Sequence, residues 1–139
     1  MDALAAQLPP TTAQICPLVD ARKGEVYTAL YKQGENGKVE QLAPYQVLSP
    51  ARLLEELPLQ ETVFVGDGVG TYGEFIIERL GDKALFAPPP LRCLRGTTVA
   101  TLGLQRLVHG EGDDIASLAP IYVRPSDAEI TWAKAHGIE

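Results

Sequence analysis

A glycine-rich segment is the part of this sequence whose residue types and spacing point most directly to chemistry. Gly66-Asp-Gly-Val-Gly-Thr-Tyr-Gly73 follows a predicted strand and leads into a predicted helix, and three of its glycines have the Gly-x-Gly-x-x-Gly spacing. The free N–H groups and the dipole at a helix N-terminus can hold a phosphate. As a dinucleotide motif the segment is incomplete, because no βαβ unit with an acidic residue about 20 positions further on closes it. The alternative is that the glycines permit a tight turn and close packing of strand and helix.

Two carboxylates near the first predicted hairpin form a second candidate site. Asp20 and Glu25 flank a bend, and a pair of carboxylates can bind a hard metal or serve in acid–base chemistry. Arg22 and Lys23 lie between them, so capping of the turn or ion pairing is the more ordinary role for both acids. The acidic pair Asp113-Asp114 sits in a polar loop, where we expect it to be solvated.

The cysteines and histidines have no spacing typical of a metal site or a nucleophile. Cys16 and Cys93 are isolated, and His109 and His136 are far apart in the chain. We expect reduced and mostly buried thiols, with a disulfide as the alternative. A His-Glu-x-x-His helix is missing, so the sequence predicts neither metallopeptidase activity nor any catalytic or metal-binding residue.

Composition limits the classes of function. With 139 residues and 45% hydrophobic content, the chain is expected to form a single domain. Its formal net charge of −6 argues against direct binding of nucleic acid by this chain alone. No run of 18 apolar residues and no secretion signal is found, so we expect a cytoplasmic protein with no membrane contact.

The elements that must position these residues follow from turn signals and hydrophobic periodicity. Gly24 allows the bend of a first hairpin, Asn36-Gly37 predicts a second, and Ser49-Pro50 is typical of a helix start. Pro88–Pro90 predicts an extended linker, and residues 125–139 a tail. The predicted helices are 2–8, 50–57, 71–80 and 97–109, and the predicted strands are 14–20, 25–32, 38–47, 62–65, 84–86 and 120–124. The last long helix is predicted to turn Val99, Leu102, Leu107 and Val108 inward. A three-stranded meander followed by alternating helices and strands indicates an α/β fold with a mixed sheet.

Two motifs carry a resemblance to a known family. Asp20-Ala-Arg-Lys-Gly-Glu-Val-Tyr27 and, about a hundred residues later, Pro120-Ile-Tyr-Val-Arg124 resemble signatures of the TsaB (YeaZ-like) family. Members are glycoprotease-like proteins of the ASKHA (actin-like ATPase, ribonuclease-H-like) superfamily. The resemblance covers nearly the whole chain, but a Gly-x-Gly-Ser-Phe-Thr-Gly-like motif of the family's first lobe is missing. It therefore implies a C-terminal lobe without its N-terminal lobe.

The resemblance also implies a function and a set of partners. TsaB-type proteins are non-catalytic subunits that support a TsaD-type catalytic subunit, together with a TsaE-type ATPase, in making threonylcarbamoyladenosine at position 37 of tRNA. On this basis we expect a scaffold without enzymatic activity and without a tightly bound cofactor. ATP or ADP would belong to the complex, and a homodimer is a further expectation because a separated lobe exposes apolar surface. The alternative function is that of a nucleotide-binding ASKHA-type enzyme.

Each function has its own candidate residues. The nucleotide-binding candidates, at the place where active ASKHA proteins approach adenine nucleotides, are Gly66, Asp67, Gly68 and Gly70. The candidates for contact with a protein partner are Arg22, Tyr27, Tyr31, Tyr122 and Arg124, because aromatic residues and arginines dominate the energetics of interfaces. Tyr27 and Tyr31 should share one side of their strand, since side chains repeat every second residue.

Overall fold

The computed structural model describes residues 1–35, 37–126, 128–129, 132 and 135–136. Within these residues, the helices are α1 (Asp2–Ala6), α2 (Pro50–Glu56), α3 (Gly68–Leu80) and α4 (Gly96–Val108). The strands are β1 (Gln14–Arg22), β2 (Glu25–Gln33), β3 (Val39–Leu48), β4 (Thr62–Val65) and β5 (Ala84–Phe86). Short 3₁₀ turns occupy Gly81–Lys83 and Pro89–Leu91.

The strands form a mixed sheet of five strands in the order β3-β2-β1-β4-β5. β1, β2 and β3 pair as an antiparallel meander, whereas β4 pairs parallel with β1 and β5 pairs parallel with β4. The parallel pairs need crossover connections, and α2 and α3 supply them. The predicted α/β architecture with a meander and then alternating elements is therefore confirmed.

Both hairpins of the meander rest on residues with positive φ. At the first hairpin, Arg22, Lys23 and Gly24 all adopt positive φ, of 62°, 56° and 77°. The sequence assigned this conformation to Gly24 alone. At the second hairpin, Gly37 has φ 72° and its N–H donates to the Gly34 carbonyl at 2.9 Å. Asn36, which the sequence placed in this turn, lies outside the described residues.

Two layers of apolar side chains cover the sheet. On one face, α2 and α3 pack over a cluster that includes Cys16, Leu18, Phe64 and Ile76. On the other face, α1 covers a cluster that includes Ile15, Ala29, Tyr31 and Val65. β1 and β4 contribute alternate residues to both clusters, which explains why their sequences are almost continuously apolar.

The helix boundaries follow local signals with one difference. Ser49 is the N-cap of α2, where its hydroxyl accepts from the Arg52 N–H at 3.3 Å, and Pro50 occupies the first turn. α3 begins at Gly68, three residues before the predicted start, so most of the glycine-rich segment is helical. Gly81 ends α3 with φ 55°, as predicted.

The structure corrects the prediction that the last long helix turns its apolar side inward. α4 has no buried residue; Val99, Leu107 and Val108 are exposed and Leu102 is half-buried. The apolar spacing was read correctly as helical, but the side of the helix that meets the protein is its other side. Periodicity identifies an apolar face and cannot tell what covers it.

Three further expectations differ from the structure. Residues 120–124 do not form a strand; Pro120 and Pro125 each lack an N–H for a ladder at the two ends of this short run. Pro88 is extended, but Pro89–Leu91 turns into a 3₁₀ helix rather than continuing the linker. Cys16 is buried as expected, whereas Cys93 is exposed, and both thiols are free. Among the described residues, no helix has the length and hydrophobicity needed to cross a membrane.

Candidate docking site at the first hairpin

The tip of the β1–β2 hairpin is held by the side chain of Asp20. One carboxylate oxygen accepts from the Arg22 N–H at 2.8 Å, and the other lies 3.2 Å from the Arg22 guanidinium. This local bond stabilises the positive φ of Arg22, a conformation that arginine rarely adopts. The predicted pairing of Asp20 with Arg22 is therefore observed. It leaves 85% of the Arg22 side chain exposed.

Arg124 closes onto the same hairpin from a distant part of the chain. Its guanidinium donates to the Glu25 carboxylate at 2.6 Å and to the Ala21 carbonyl at 3.1 Å. It also lies over the Tyr27 ring, 5.9 Å from the centroid, which is within the range of a cation–π interaction. Charge-assisted bonds of this kind are about twice as strong as neutral ones. The two motifs that carried the family resemblance are thus in direct contact.

This contact produces an exposed surface with cationic and aromatic groups. We define the hairpin surface as Arg22, Tyr27, Tyr122 and Arg124. Arg22 and Tyr122 are exposed, the latter by 81%, whereas Tyr27 and Arg124 are half-buried against each other. Arginine and tyrosine are the side chains most enriched at interface hot spots, so the chemistry of this surface suits a protein partner with carboxylates.

Tyr31 was predicted to belong to the same surface, and the structure removes it. It shares a sheet face with Tyr27 as predicted, but only 2% of it is exposed. Its hydroxyl donates to the Asp2 carboxylate at 2.5 Å, beside Tyr45, which donates to the same oxygen at 2.8 Å. Burial and this carboxylate raise the pKa of Tyr31 far above its usual value. Tyr31 is a core residue because α1 covers this part of β2, so a docked partner cannot touch it.

The glycine-rich segment lies next to the hairpin, and packing accounts for two of its glycines. Gly66 has φ 123°, and a Cβ atom there would overlap the Leu18 carbonyl oxygen. A Cβ at Gly68 would lie 3.1 Å from the Leu18 Cβ and carbonyl oxygen. The strand-to-helix turn therefore approaches the β1 backbone so closely that only glycine fits.

The same turn presents carboxylates where a phosphate would have to bind. Asp67, just before α3, is exposed and accepts from the Asp20 N–H at 3.1 Å, which links the turn to the hairpin. Gly70 is exposed, and no heavy atom lies within 4 Å of a Cβ at that position. Nucleotide binding at Gly66, Asp67, Gly68 and Gly70 stays a prediction, but close packing on Leu18 already explains the first and third of these residues.

Metal-binding and thiol chemistry receive no positive indication. Across the part of the chain that the structure describes, no cluster of three or more His, Cys, Asp or Glu residues could hold a metal ion. Cys16 is fully buried with its sulfur 3.2 Å from the Thr28 hydroxyl, and burial raises the pKa of the Cys16 thiol to about 12. Such a thiol is a weak nucleophile, because the thiolate is the reactive form.

The strand order and the two covering layers define the class of the protein as an ASKHA-type lobe. Solved structures with this fold come from Pseudomonas aeruginosa. One, described as an uncharacterized protein with similarity to peptidase YeaZ, has 22% identity and a TM-score of 0.66 and is matched over 88% of this chain and 56% of its own. Another, YeaZ, has 23% identity and a TM-score of 0.63 over 87% and 56%. No family model matches the chain.

Sequence comparison then identifies the family. The chain is 33% identical over 123 residues to the tRNA threonylcarbamoyladenosine biosynthesis protein TsaB of Bacillus subtilis, and the match covers 87% of this chain and 52% of that protein. The resemblance read from the two motifs is confirmed: this chain is a TsaB-family (YeaZ-like) homologue. It spans about half the length of the curated relative that it matches.

Sequence reasoning missed two contacts at the hairpin. Glu25 was expected to pair with its neighbours Arg22 or Lys23, but it binds Arg124. The bond from the Asp20 N–H to Asp67 joins residues far apart in sequence and had no local signal. The joint occurrence of the two family motifs was the one indication that residues near 20–27 and 120–124 belong together.

Proposed function

We propose that this chain acts as a non-catalytic docking subunit in the synthesis of threonylcarbamoyladenosine on tRNA. On this proposal it binds a TsaD-type catalytic subunit, works with a TsaE-type ATPase in the cytoplasm, and takes no direct part in the chemistry or in binding tRNA. The TsaB relative, whose printed name places it in this biosynthesis, supports the pathway. The chain corresponds, on the same proposal, to the C-terminal lobe of such a protein.

The observation that carries the docking role is the closure of Arg124 on the hairpin. In a catalytic centre, the charged side chains of the motifs would be presented to a substrate. Here Arg124 is used to hold Glu25 and Ala21, and Asp20 holds Arg22. The charged groups therefore organise one surface and keep its shape. A surface fixed in advance loses less conformational entropy when a partner binds.

Copurification tests the proposal directly. The chain should be mixed with a TsaD-type subunit from the same organism and analysed by size-exclusion chromatography with light scattering. We expect a complex of stoichiometric mass. Arg22→Glu and Tyr122→Ala should weaken it by at least about tenfold, because each change removes an exposed group at the hairpin surface without touching the core.

A matched control separates docking from general charge effects. Arg79→Glu reverses an equally exposed arginine on α3, where Arg79 lies over the Phe75 ring and away from the hairpin surface. It should leave the complex intact. Separate elution of the two unaltered proteins would contradict docking by this chain, and turnover of a substrate by the chain alone would contradict its non-catalytic role.

Activity of the whole system provides a second test. TsaD-type and TsaE-type proteins, tRNA, ATP and the threonylcarbamoyl donor should be combined with and without this chain, and the modified nucleoside measured by mass spectrometry. We expect the chain to raise the yield, and Arg22→Glu to remove most of that increase. An equal yield in all three reactions would refute the supporting role.

A further inference from the structure

α4 presents two faces whose polarity is the reverse of what a surface helix normally shows. The face toward the protein carries Thr98, Thr101, Gln105 and His109 and forms one wall of a groove of about 460 Å³, opposite Asp2 and Tyr31. The other face follows the spacing i, i+3, i+4, i+7, i+8, i+11 of an amphipathic helix. It consists of small and apolar residues, namely Gly96, Val99, Ala100, Gly103, Leu104 and Leu107. We call this set the outer stripe.

The outer stripe is open to solvent along its length. Val99 is 47%, Leu104 62% and Leu107 67% exposed. A Cβ atom added at Gly96 or Gly103 would meet no heavy atom within 4 Å. A contiguous exposed apolar patch of this kind marks an interaction site more often than chance.

We propose that the outer stripe is the interface between two copies of this chain, with the two α4 helices packed antiparallel around a two-fold axis. The order of small and large residues is self-complementary in that arrangement. Gly96 of one copy lies opposite Leu107 of the other, Val99 opposite Leu104, and Ala100 opposite Gly103. The small residues at the centre let the helices approach closely, and each leucine enters a space left by the partner's glycine or valine.

The charges at the two ends of α4 favour the same antiparallel arrangement. Residues 83–110 contain no Asp or Glu, although the chain as a whole has a net charge of −6. Arg92 and Arg95 precede α4, whereas Glu111 and Asp114 follow it. Antiparallel packing brings the basic end of each helix to the acidic end of the other, and also opposes the two helix dipoles. A parallel pair would place like charges together at both ends.

A second copy is the occupant that these features select, because one stripe supplies both halves of the complementary pattern. The inference deepens the docking role proposed above by adding a homodimer contact. It uses α4 and leaves the hairpin surface free, so either can fail without the other.

Light scattering over a concentration series tests the dimer. We expect the chain to associate at about 100 µM, and Leu104→Gln with Leu107→Gln to raise the dissociation constant by at least about tenfold. Leu59→Gln is the matched control, since Leu59 is 78% exposed outside α4. A monomeric chain over the whole series would overturn the proposal.

Gly103→Leu distinguishes close helix packing from non-specific adhesion. The added side chain meets nothing within the chain and suits a helix, so the fold should be kept. Non-specific association would strengthen with the extra apolar area. The proposed interface should instead weaken by at least about tenfold, because the larger side chain keeps the helices apart. Unchanged or tighter association would overturn it.

Crosslinking tests the antiparallel register. Val99→Cys and Leu104→Cys should be prepared separately, each with Cys93→Ser, and treated with a short bifunctional maleimide alone and as a mixture. We expect the mixture to crosslink about fivefold faster than either variant alone, because Val99 and Leu104 face each other only across the antiparallel pair. Equal crosslinking of Val99→Cys with itself would indicate a parallel pair and overturn the proposal. So would a chain that is monomeric alone but loses its TsaD-type partner when Leu104 and Leu107 are changed, since the stripe would then belong to that partner.

Discussion

Gly66→Ala should destabilise this protein more than any other single methyl addition in the glycine-rich segment. The new Cβ would overlap the Leu18 carbonyl oxygen and lie 2.9 Å from its carbonyl carbon, and φ at Gly66 is 123°. A side chain at such a backbone conformation costs roughly 1–3 kcal/mol. Overpacking against a neighbouring backbone costs about 1–3 kcal/mol more. Because β1 is a central strand, its backbone cannot move aside without disturbing both of its ladders.

The expected loss is therefore about 4 kcal/mol of unfolding free energy, out of roughly 5–15 kcal/mol for an ordinary domain. In a chain of this size it corresponds to a fall in Tm of about 15 °C. Urea and thermal unfolding followed by circular dichroism would measure both quantities. A change below about 0.5 kcal/mol, which is typical of a neutral surface substitution, would refute the reasoning.

Gly70→Ala is the matched control and also the better test of nucleotide binding. Gly70 lies in the first turn of α3, and a Cβ there has no neighbour within 4 Å, so alanine should stabilise by about 0.5–1 kcal/mol. A fold that is intact in the variant allows a clean ATP or ADP titration. Loss of measurable nucleotide affinity in Gly70→Ala would support the nucleotide-binding alternative. Absence of binding by the unaltered chain at millimolar nucleotide would remove it.

Three further predictions concern the contacts that close the structure. Arg124→Met keeps the length of the side chain but removes the bonds to Glu25 and Ala21, and should cost about 1–2 kcal/mol in urea unfolding, since the pair is partly exposed. Cys16→Ala should flatten the loss of stability at high pH. Because burial raises the pKa of the Cys16 thiol from 9.0 to about 12, its contribution is complete below pH 9 and is lost as the pH rises toward 12, at up to about 1.4 kcal/mol per pH unit. Gln7→Ala should free the start of α4, because the Gln7 amide donates to the carbonyls of residues 91 and 93 and accepts from the N–H of residue 95; hydrogen exchange of residues 91–95 should then accelerate at least about tenfold.

Each of these predictions has a result that would contradict it. For Arg124, a double-mutant cycle with Glu25→Gln that gives no coupling energy would show that the ion pair contributes nothing. For Cys16, the matched control is Cys93→Ala at the exposed thiol, and equal slopes in the two variants between pH 9 and 12 would be inconsistent with burial as the cause. For Gln7, unchanged exchange at residues 91–95 would show that other contacts hold this segment.

Much of the fold was determined by the sequence alone, because its signals are local. Gly24 and Gly37 allow their turns, Ser49 caps α2 through its own hydroxyl, and Gly81 ends α3. The strands β4 and β5 were recognised as short apolar runs between breakers. The sequence also placed Asp20 beside Arg22, since the bond spans only two residues. These features depend on neighbouring residues and so can be read without the rest of the chain.

What only the tertiary structure decided depends on partners that are distant in sequence. The apolar period of α4 was visible, but the side that meets the protein depends on Asp2, Tyr31 and the Gln7 amide. Tyr27 and Tyr31 alternate alike along β2, yet α1 buries only Tyr31, and Arg124 covers Tyr27. The run ending in Arg124 has the composition of a strand and forms none. Strand formation needs a neighbouring edge for its N–H groups, and here the side chain of Arg124 makes the long-range contact instead.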